Sequence, residues 1–415
     1  MGFTHDGSTE ELADPRHLPS PPGIEGLGIS SRFVDTSPHS LVFHILECVP
    51  KRKQKTPKGL VLLVHGFPDV AYSWRKVLPR LAAEGYHAVA YDTRGFGRTS
   101  SVTPMSSESF RPVNLLLDAL ALTSALGYES VSCIVGHDFG AVTATLCGLA
   151  RPDVFRSVVL MSHPVKGPMN LPYKTSPSYG DVPQPSNVSE KRDLHAALAQ
   201  LDPPRQHYQR YYCSASANDE MSSPGGDDLH TFLRGYFYLK SADWKGNHPI
   251  RLKSNTAEEL AGMPSYYIMP LGKTMRATVA DAMKSEDIAI VQMQAEKWLN
   301  NEELSYYTAE WERTTFRGGL NWYRLVTDIN LLADFFVWSR LNLSVPTTFV
   351  AGNKDWGSFQ DPGALEQLEK EIFVEPGKYK GTIMIEEAGH WVNQEQPERC
   401  VDAILKFLSD AAPAE

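Results

Sequence analysis

Two hydrophobic periods alternate along this chain, and the alternation is interrupted only once. Short apolar runs at 60–64, 87–91 and 131–135 are followed by helical spacing at 74–85, 115–126 and 141–150, and a fourth run lies at 157–161. Such runs predict strands buried on both faces, and strand–helix alternation predicts a parallel sheet wound by right-handed crossovers. Strands at 32–35 and 41–48, joined by a turn at Ser37-Pro38, precede them. From His163 the pattern stops at a segment broken by Pro164, Pro168, Pro172, Pro177, Pro183 and Pro185. Helical faces follow, such as Leu229, Phe232, Leu233, Tyr236 and Phe237, then Leu304, Tyr307 and Trp311. The alternation resumes with a strand at 347–351, a helix at 364–372, a strand at 382–386 and a terminal helix at 398–408. The expected fold class is α/β: a mostly parallel sheet with helices on both faces and a large, mainly helical lid inserted after the sixth core strand. The expected division is a polar, loosely held tail at 1–30, a core at 31–162 and 338–415, and the lid at 163–337.

Bulk properties exclude several functions. A net charge of -9 argues against a surface that holds nucleic-acid phosphates. The locally basic run Lys51, Arg52, Lys53, Lys55, Lys58 is read as a solvated loop before a strand. The five cysteines are scattered without CxxC spacing, which predicts reduced thiols and neither a disulfide frame nor a zinc site. The first residues hold no apolar stretch of the signal-peptide kind, and Asp6 stands where a myristoylation signal needs Ser or Thr. No apolar run approaches the length of a membrane span. The expectation is a cytoplasmic protein.

The strongest local motif is Gly136-His137-Asp138-Phe139-Gly140, between a predicted strand and a predicted helix. Flanking glycines permit the sharp turn that lifts one side chain above a sheet, and the helix N-terminus behind it favours an anion there. The residue lifted here is an aspartate. An alkoxide attacking a saturated carbon would leave an ether that water does not readily cleave. A carboxylate leaves an ester instead, and its carbonyl can be hydrolysed. Asp138 therefore points to epoxides or alkyl halides. In His65-Gly66-Phe67-Pro68 the Phe67 N–H is placed to pair with the Phe139 N–H as an oxyanion hole, and His65 is read as structural. Asp92 and Arg94 are read as a structural ion pair. Ester hydrolysis needs a base and an orienting acid in the order nucleophile, acid, histidine. Asp355 follows one late strand and His390 the last; Ser162-His163 supplies no competing acid.

The elbow, the His65-Gly66-Phe67-Pro68 loop with Ser73-Trp74-Arg75, Asp92-Thr93-Arg94-Gly95-Phe96-Gly97 and Gly389-His390-Trp391 together resemble the soluble epoxide hydrolases of the α/β-hydrolase fold. The resemblance covers the sheet on both sides of the insertion, and haloalkane and fluoroacetate dehalogenases share these core motifs. It implies two lid tyrosines that bind the epoxide oxygen and donate a proton. Tyr208 in His207-Tyr208-Gln209-Arg210-Tyr211-Tyr212 matches one, with Tyr211 and Tyr212 as alternatives; Tyr323 in 316–324 matches the other. Pro68, Trp322 and Trp391, within these motifs, are expected to line the substrate pocket. The implied reaction converts a small apolar epoxide and water to a vicinal diol, with no metal and no cofactor. A dehalogenase is the alternative; Phe139 disfavours it, because halide cradles often use a Trp N–H just after the nucleophile. A non-hydrolytic ligand-binding or cyclase relative is a third reading, and the acid–histidine pair speaks against it. The lid is longer than in compact relatives at 163–189 and 213–300, where Trp244, Tyr266, Tyr267, Met269 and Met275 lie. These additions can narrow the pocket, fit it to a bulky molecule or mediate self-association into a homo-oligomer.

Overall fold

A computed structural model describes residues 14–50, 57–167, 171, 194–328 and 330–411. Eight strands form the main sheet: β1 (Ser30–Asp35), β2 (Leu41–Cys48), β3 (Leu60–Val64), β4 (His87–Tyr91), β5 (Cys133–His137), β6 (Val158–Met161), β7 (Thr347–Gly352) and β8 (Tyr379–Ile385). Their order is β1-β2-β4-β3-β5-β6-β7-β8, and the two-residue strand Ser100–Ser101 pairs with β2. Pairing is antiparallel at β1–β2 and β2–β4 and parallel from β4 through to β8.

The central strands are apolar throughout because each face meets a different hydrophobic cluster. Leu60, Leu62 and Val64 pack with the helix Phe139–Ala150; Val61 and Leu63 pack into the other cluster, with Trp74, Leu78 and Ile404. The lid's Phe237, Trp311 and Tyr323 join that second cluster, so lid and sheet share one apolar interior.

Several boundaries differ from expectation. The helix expected over 74–85 divides into a 3-10 turn, Ala71–Trp74, and a helix, Leu78–Ala83, since Pro79 cannot donate to a continuing helix. Strand β5 extends to His137, which is buried and paired in register with Met161. Strand β8 begins three residues early, at Tyr379. The tail expected over residues 1–30 is corrected in its second half. Ile24 is buried in the core, Tyr72 donates to the Pro22 carbonyl at 2.8 Å, and Arg98 donates to that of Pro19 at 2.8 Å. Residues 1–13, most of the basic run and most of the proline-rich segment lie outside the described residues. Asp92 and Arg94 do not pair with each other. Asp92 meets His44 Nδ1 at 2.7 Å, and Arg94 grips Asp118 through two nitrogens.

Between β6 and β7 the chain builds helices that include Tyr208–Tyr212, Asp227–Lys240, Met275–Met283, Asn301–Thr314 and Arg317–Thr327. A short antiparallel pair, Arg205–His207 with Ile268–Pro270, ties the segment together. Buried ion pairs Arg75–Glu303 and Arg98–Glu310, each 2.7 Å, clamp it to the core loops. Gly318 makes the approach close, because a Cβ there would overlap the Gly95 carbonyl oxygen. Among the described residues no helix is long and apolar enough to cross a membrane.

Leu62 is enclosed in the middle of β3. Leu62→Ala should cost about 2–5 kcal/mol through lost burial and the cavity left behind. Denaturant unfolding checks this; a loss below about 0.5 kcal/mol would contradict the packing described.

Candidate active site

Asp138 stands at the end of β5 with φ 54° and ψ -120°, and the helix Phe139–Ala150 begins at the next residue. Such a backbone costs of order 1–3 kcal/mol in a residue other than glycine and persists only when its surroundings impose it. Here they do. A Cβ on Gly136 would overlap the Gly140 carbonyl, and one on Gly140 would overlap the Val64 carbonyl, so both glycines are needed for the helix to sit over β3. Asp138 donates its N–H to the Met161 carbonyl at 3.0 Å. Its Oδ1 accepts the Phe67 N–H at 3.0 Å.

Asp138 Oδ2 lies 3.5 Å from His390 Nε2, ion-pair contact but too long for a good hydrogen bond. His390 Nδ1 lies 3.0 Å from Asp355 Oδ1, which also accepts the Gly357 N–H at 2.7 Å. The His390 backbone is fixed at both ends. Its N–H donates to the Lys240 carbonyl at 2.9 Å, and its carbonyl accepts from His137 Nε2 at 2.7 Å and Ser162 Oγ at 3.1 Å. The three expected residues thus form one line: Asp138, His390, Asp355. His65, expected to be structural, spends its ring on the Gly66 carbonyl at 2.8 Å and the Thr93 N–H at 3.0 Å.

Charge is unusually concentrated here. Burial opposes ionisation of Asp138, but His390, Lys240 and His137 outweigh it and hold the carboxyl well below the usual range. Burial likewise opposes a charged His390, yet Asp355 and Asp138, working against Lys240, raise it to about 9. At neutral pH the pair is carboxylate and imidazolium. His137 is pushed down to about 4, mainly by burial and then by His390, so it stays neutral.

The lid brings two phenols to this pair. Tyr323 packs edge-on to Phe139 at 4.7 Å and Phe67 at 5.4 Å, and Tyr208 lies 5.8 Å from Tyr323. Burial raises both phenols well above their ordinary value, and the negative charge of Asp138 adds to this in each. Tyr208 donates to Gln360 Oε1 at 3.1 Å. Tyr212 donates instead to Tyr236 at 3.1 Å, and Tyr211, also buried, is not among the phenols that the charge of Asp138 raises. Among the expected pocket residues, the Pro68 carbonyl accepts the Trp311 indole N–H at 3.0 Å, and Trp322 donates to the Arg94 carbonyl at 3.2 Å. Trp391 packs on His390 at 4.6 Å while donating to the Phe237 carbonyl at 2.8 Å.

Sequence reasoning missed Lys240, Gln360 and Tyr267, all close to this centre. Only Lys240 left a trace: a charged residue closing an aromatic helical face, Phe232, Tyr236, Phe237. A separate cavity of about 590 Å³ lies among lid residues such as Phe232, Arg276 and Val291 and shares no lining residue with the Asp138 surroundings.

A strand order with an aspartate on the elbow, a histidine after the last strand and an inserted helical segment defines an α/β-hydrolase fold. The chain matches the alpha/beta hydrolase family over residues 61–403. It is 32% identical to epoxide hydrolase B of Mycobacterium tuberculosis over 355 residues, covering 85% of this chain and 92% of that protein. Epoxide hydrolase 3 of Siraitia grosvenorii is 25% identical over 84% of this chain and 92% of its own length. The structure of potato (Solanum tuberosum) epoxide hydrolase I superposes with a TM-score of 0.67 at 25% identity, over 92% of this chain and 99% of that one. The chain belongs to the epoxide hydrolase family of the α/β-hydrolase fold.

Because folding raises His390 from 6.5 to about 9, its carboxylate contacts stabilise the fold fully below pH 6.5 and lose that contribution as pH rises through about 9. Thermal unfolding should show a drop in Tm between pH 7 and 10, worth on the order of a few kcal/mol, that His390→Gln lacks. An equal drop in both proteins would contradict the assignment.

Proposed function

We propose that this protein hydrolyses a small, largely apolar epoxide to a vicinal diol through a covalent ester on Asp138. The observation that carries this reading is the carboxylate held between the Phe67 N–H at 3.0 Å and the His390 Nε2 at 3.5 Å, with His390 backed by Asp355. Tyr208 and Tyr323 bind the epoxide oxygen, and Asp138 Oδ2 attacks a ring carbon. As the carbon–oxygen bond breaks, a phenol gives its proton to the departing oxygen. Tyrosines suit this because their raised pKa keeps them protonated until the strong base of a ring-opened alkoxide forms beside them.

The tyrosinate then takes the proton of the His390 imidazolium, which leaves a neutral imidazole oriented by Asp355. That imidazole removes a proton from water, and the hydroxide adds to the Asp138 ester carbonyl. The resulting oxyanion sits at the Phe67 and Phe139 N–H groups, the second at the positive end of the helix. Collapse releases the diol, whose second hydroxyl takes its proton from His390. The carboxylic acid of Asp138 then reprotonates His390 and restores the resting ion pair. Two hydrogens enter from water and two hydroxyls leave on the diol.

In this reading Pro68, Trp322 and Trp391 shape the pocket by packing, since the two indoles give their N–H groups to backbone carbonyls. In the same reading the described residues of 163–337 are the lid over a core drawn from those of 31–162 and 338–415. A cytoplasmic setting is supported by five cysteines that form no disulfide among the described residues. The dehalogenase alternative gains nothing from Phe139, whose side chain offers a halide no N–H donor.

Styrene oxide serves as the probe. Wild-type protein should yield phenylethanediol, Asp138→Ala none, and His390→Gln should accumulate the ester, visible by mass spectrometry as the protein plus one epoxide on Asp138. Tyr208→Phe with Tyr323→Phe should lower ring opening by roughly 10²–10⁴-fold. A His390→Gln protein that stays unmodified, or a double Phe variant with near-normal ring opening, would overturn the scheme.

A further inference from the structure

Lys240 ends the helix Asp227–Lys240 and is 4% exposed. A buried ammonium normally finds a carboxylate. Among the described residues this one has none within ion-pair distance, and its nitrogen makes no hydrogen bond. It lies instead over three aromatic faces: Tyr267 at 4.6 Å, Tyr236 at 5.1 Å and Tyr266 at 5.5 Å from their centroids. Aromatic faces hold a cation without neutralising it. The cage is itself braced. Tyr266 donates to Asn247 Oδ1 at 2.6 Å, and Asn247 donates to the carbonyls of Leu239 and Ser241 on either side of Lys240. Tyr267 packs against Tyr208 at 5.3 Å, and its carbonyl accepts the Tyr208 N–H. Lys240 also holds the His390 N–H through its own carbonyl at 2.9 Å. An ammonium with no carboxylate partner among the described residues is therefore held in an aromatic cage on the residue whose backbone carries His390, and its charge opposes protonation of that imidazole.

We propose, on the strength of the ester mechanism above, that Lys240 is a positioning residue whose fixed positive charge makes His390 give up its proton once Asp138 is esterified. At rest, two carboxylates, Asp138 and Asp355, face the imidazole and outweigh the ammonium. Ester formation removes one of them. The repulsion from Lys240 is then less opposed, and the proton passes from His390 to the tyrosinate that ring opening has just created. The other groups facing His390 are His137 and His163, which burial keeps neutral, and Asp69 and Glu395, which burial raises to about 7; Glu395 accepts the N–H groups of Gly389 and Trp391. Two walls of the cage, Tyr266 and Tyr267, lie within 213–300, which gives part of that stretch of the lid a task in the chemistry.

The first test needs no epoxide, so its result is independent of the reading of the reaction. In Asp138→Ala, which removes the charge that the ester removes, the His390 imidazole is titrated by NMR and identified by its loss in His390→Gln. It should titrate lower than in wild type. Adding Lys240→Met should bring it back up by roughly one pH unit or more, and adding Lys240→Arg should not. Lys240→Gln gives a second charge-free variant should the Met protein fold poorly. The second test follows decay of the styrene oxide ester against pH, where Lys240→Met should move the rising limb to higher pH and Lys240→Arg should keep it near wild type. The proposal is overturned by a His390 titration that neither charge-free variant moves, by Arg and Met behaving alike, or by an ester-decay profile that falls by one factor at every pH.

Discussion

The site depends on a single strained residue. Asp138 adopts a backbone conformation that β-carbon-bearing residues avoid, and it does so because three glycines leave room around it. Gly136 and Gly140 let the following helix descend onto β3, while Gly66 lets the oxyanion loop come up against the carboxylate itself. The strain is useful because it points the side chain out of the sheet toward the lid and places it at the positive end of a helix. The close approach of the Phe67 N–H, the reach of His390 and the edge-on packing of Tyr323 on Phe139 are all arranged around that carboxylate.

Around this point the protein distributes charge with little water to screen it. Two carboxylates, one imidazole and one ammonium lie within a shared aromatic interior, and the charges around them set the states of Asp138 and His390. A nucleophile that must stay ionised and a base that must become neutral later in the cycle are conflicting demands at one pH. In the reaction proposed above, the order of events reconciles them, because ester formation cancels the charge that had suppressed the base. The lid contributes as much as the core, since it supplies both phenols and the ammonium and is joined to the core by buried ion pairs and the Gly318–Gly95 contact.

Much of this was legible in the residues because it is local. Strands buried on both faces must be continuously apolar, so β3 and β4 fall where the runs at 60–64 and 87–91 lie. The elbow at Asp138 was legible because a pair of glycines around one acidic residue has few other uses after a strand. What escaped depends on distant packing. Asp92 and Arg94 are two residues apart, yet their partners, His44 and Asp118, arrive from β2 and from a later helix. Ile24 docks from a segment otherwise rich in proline and glycine, where one apolar side chain gives no period. Lys240 was not singled out, because only the folded lid brings Tyr266 and Tyr267 over it.

The claim at the centre is that an oxygen of Asp138 is exchanged in each cycle. It is tested by a single turnover in water labelled with oxygen-18, with enzyme in excess over styrene oxide, followed by mass analysis of the diol and of the peptide that carries Asp138. The account predicts that the label enters Asp138 and that the first diol carries unlabelled oxygen drawn from the carboxylate. Label found directly in the first diol, with Asp138 unlabelled, would mean that water opens the ring without an ester and would contradict it.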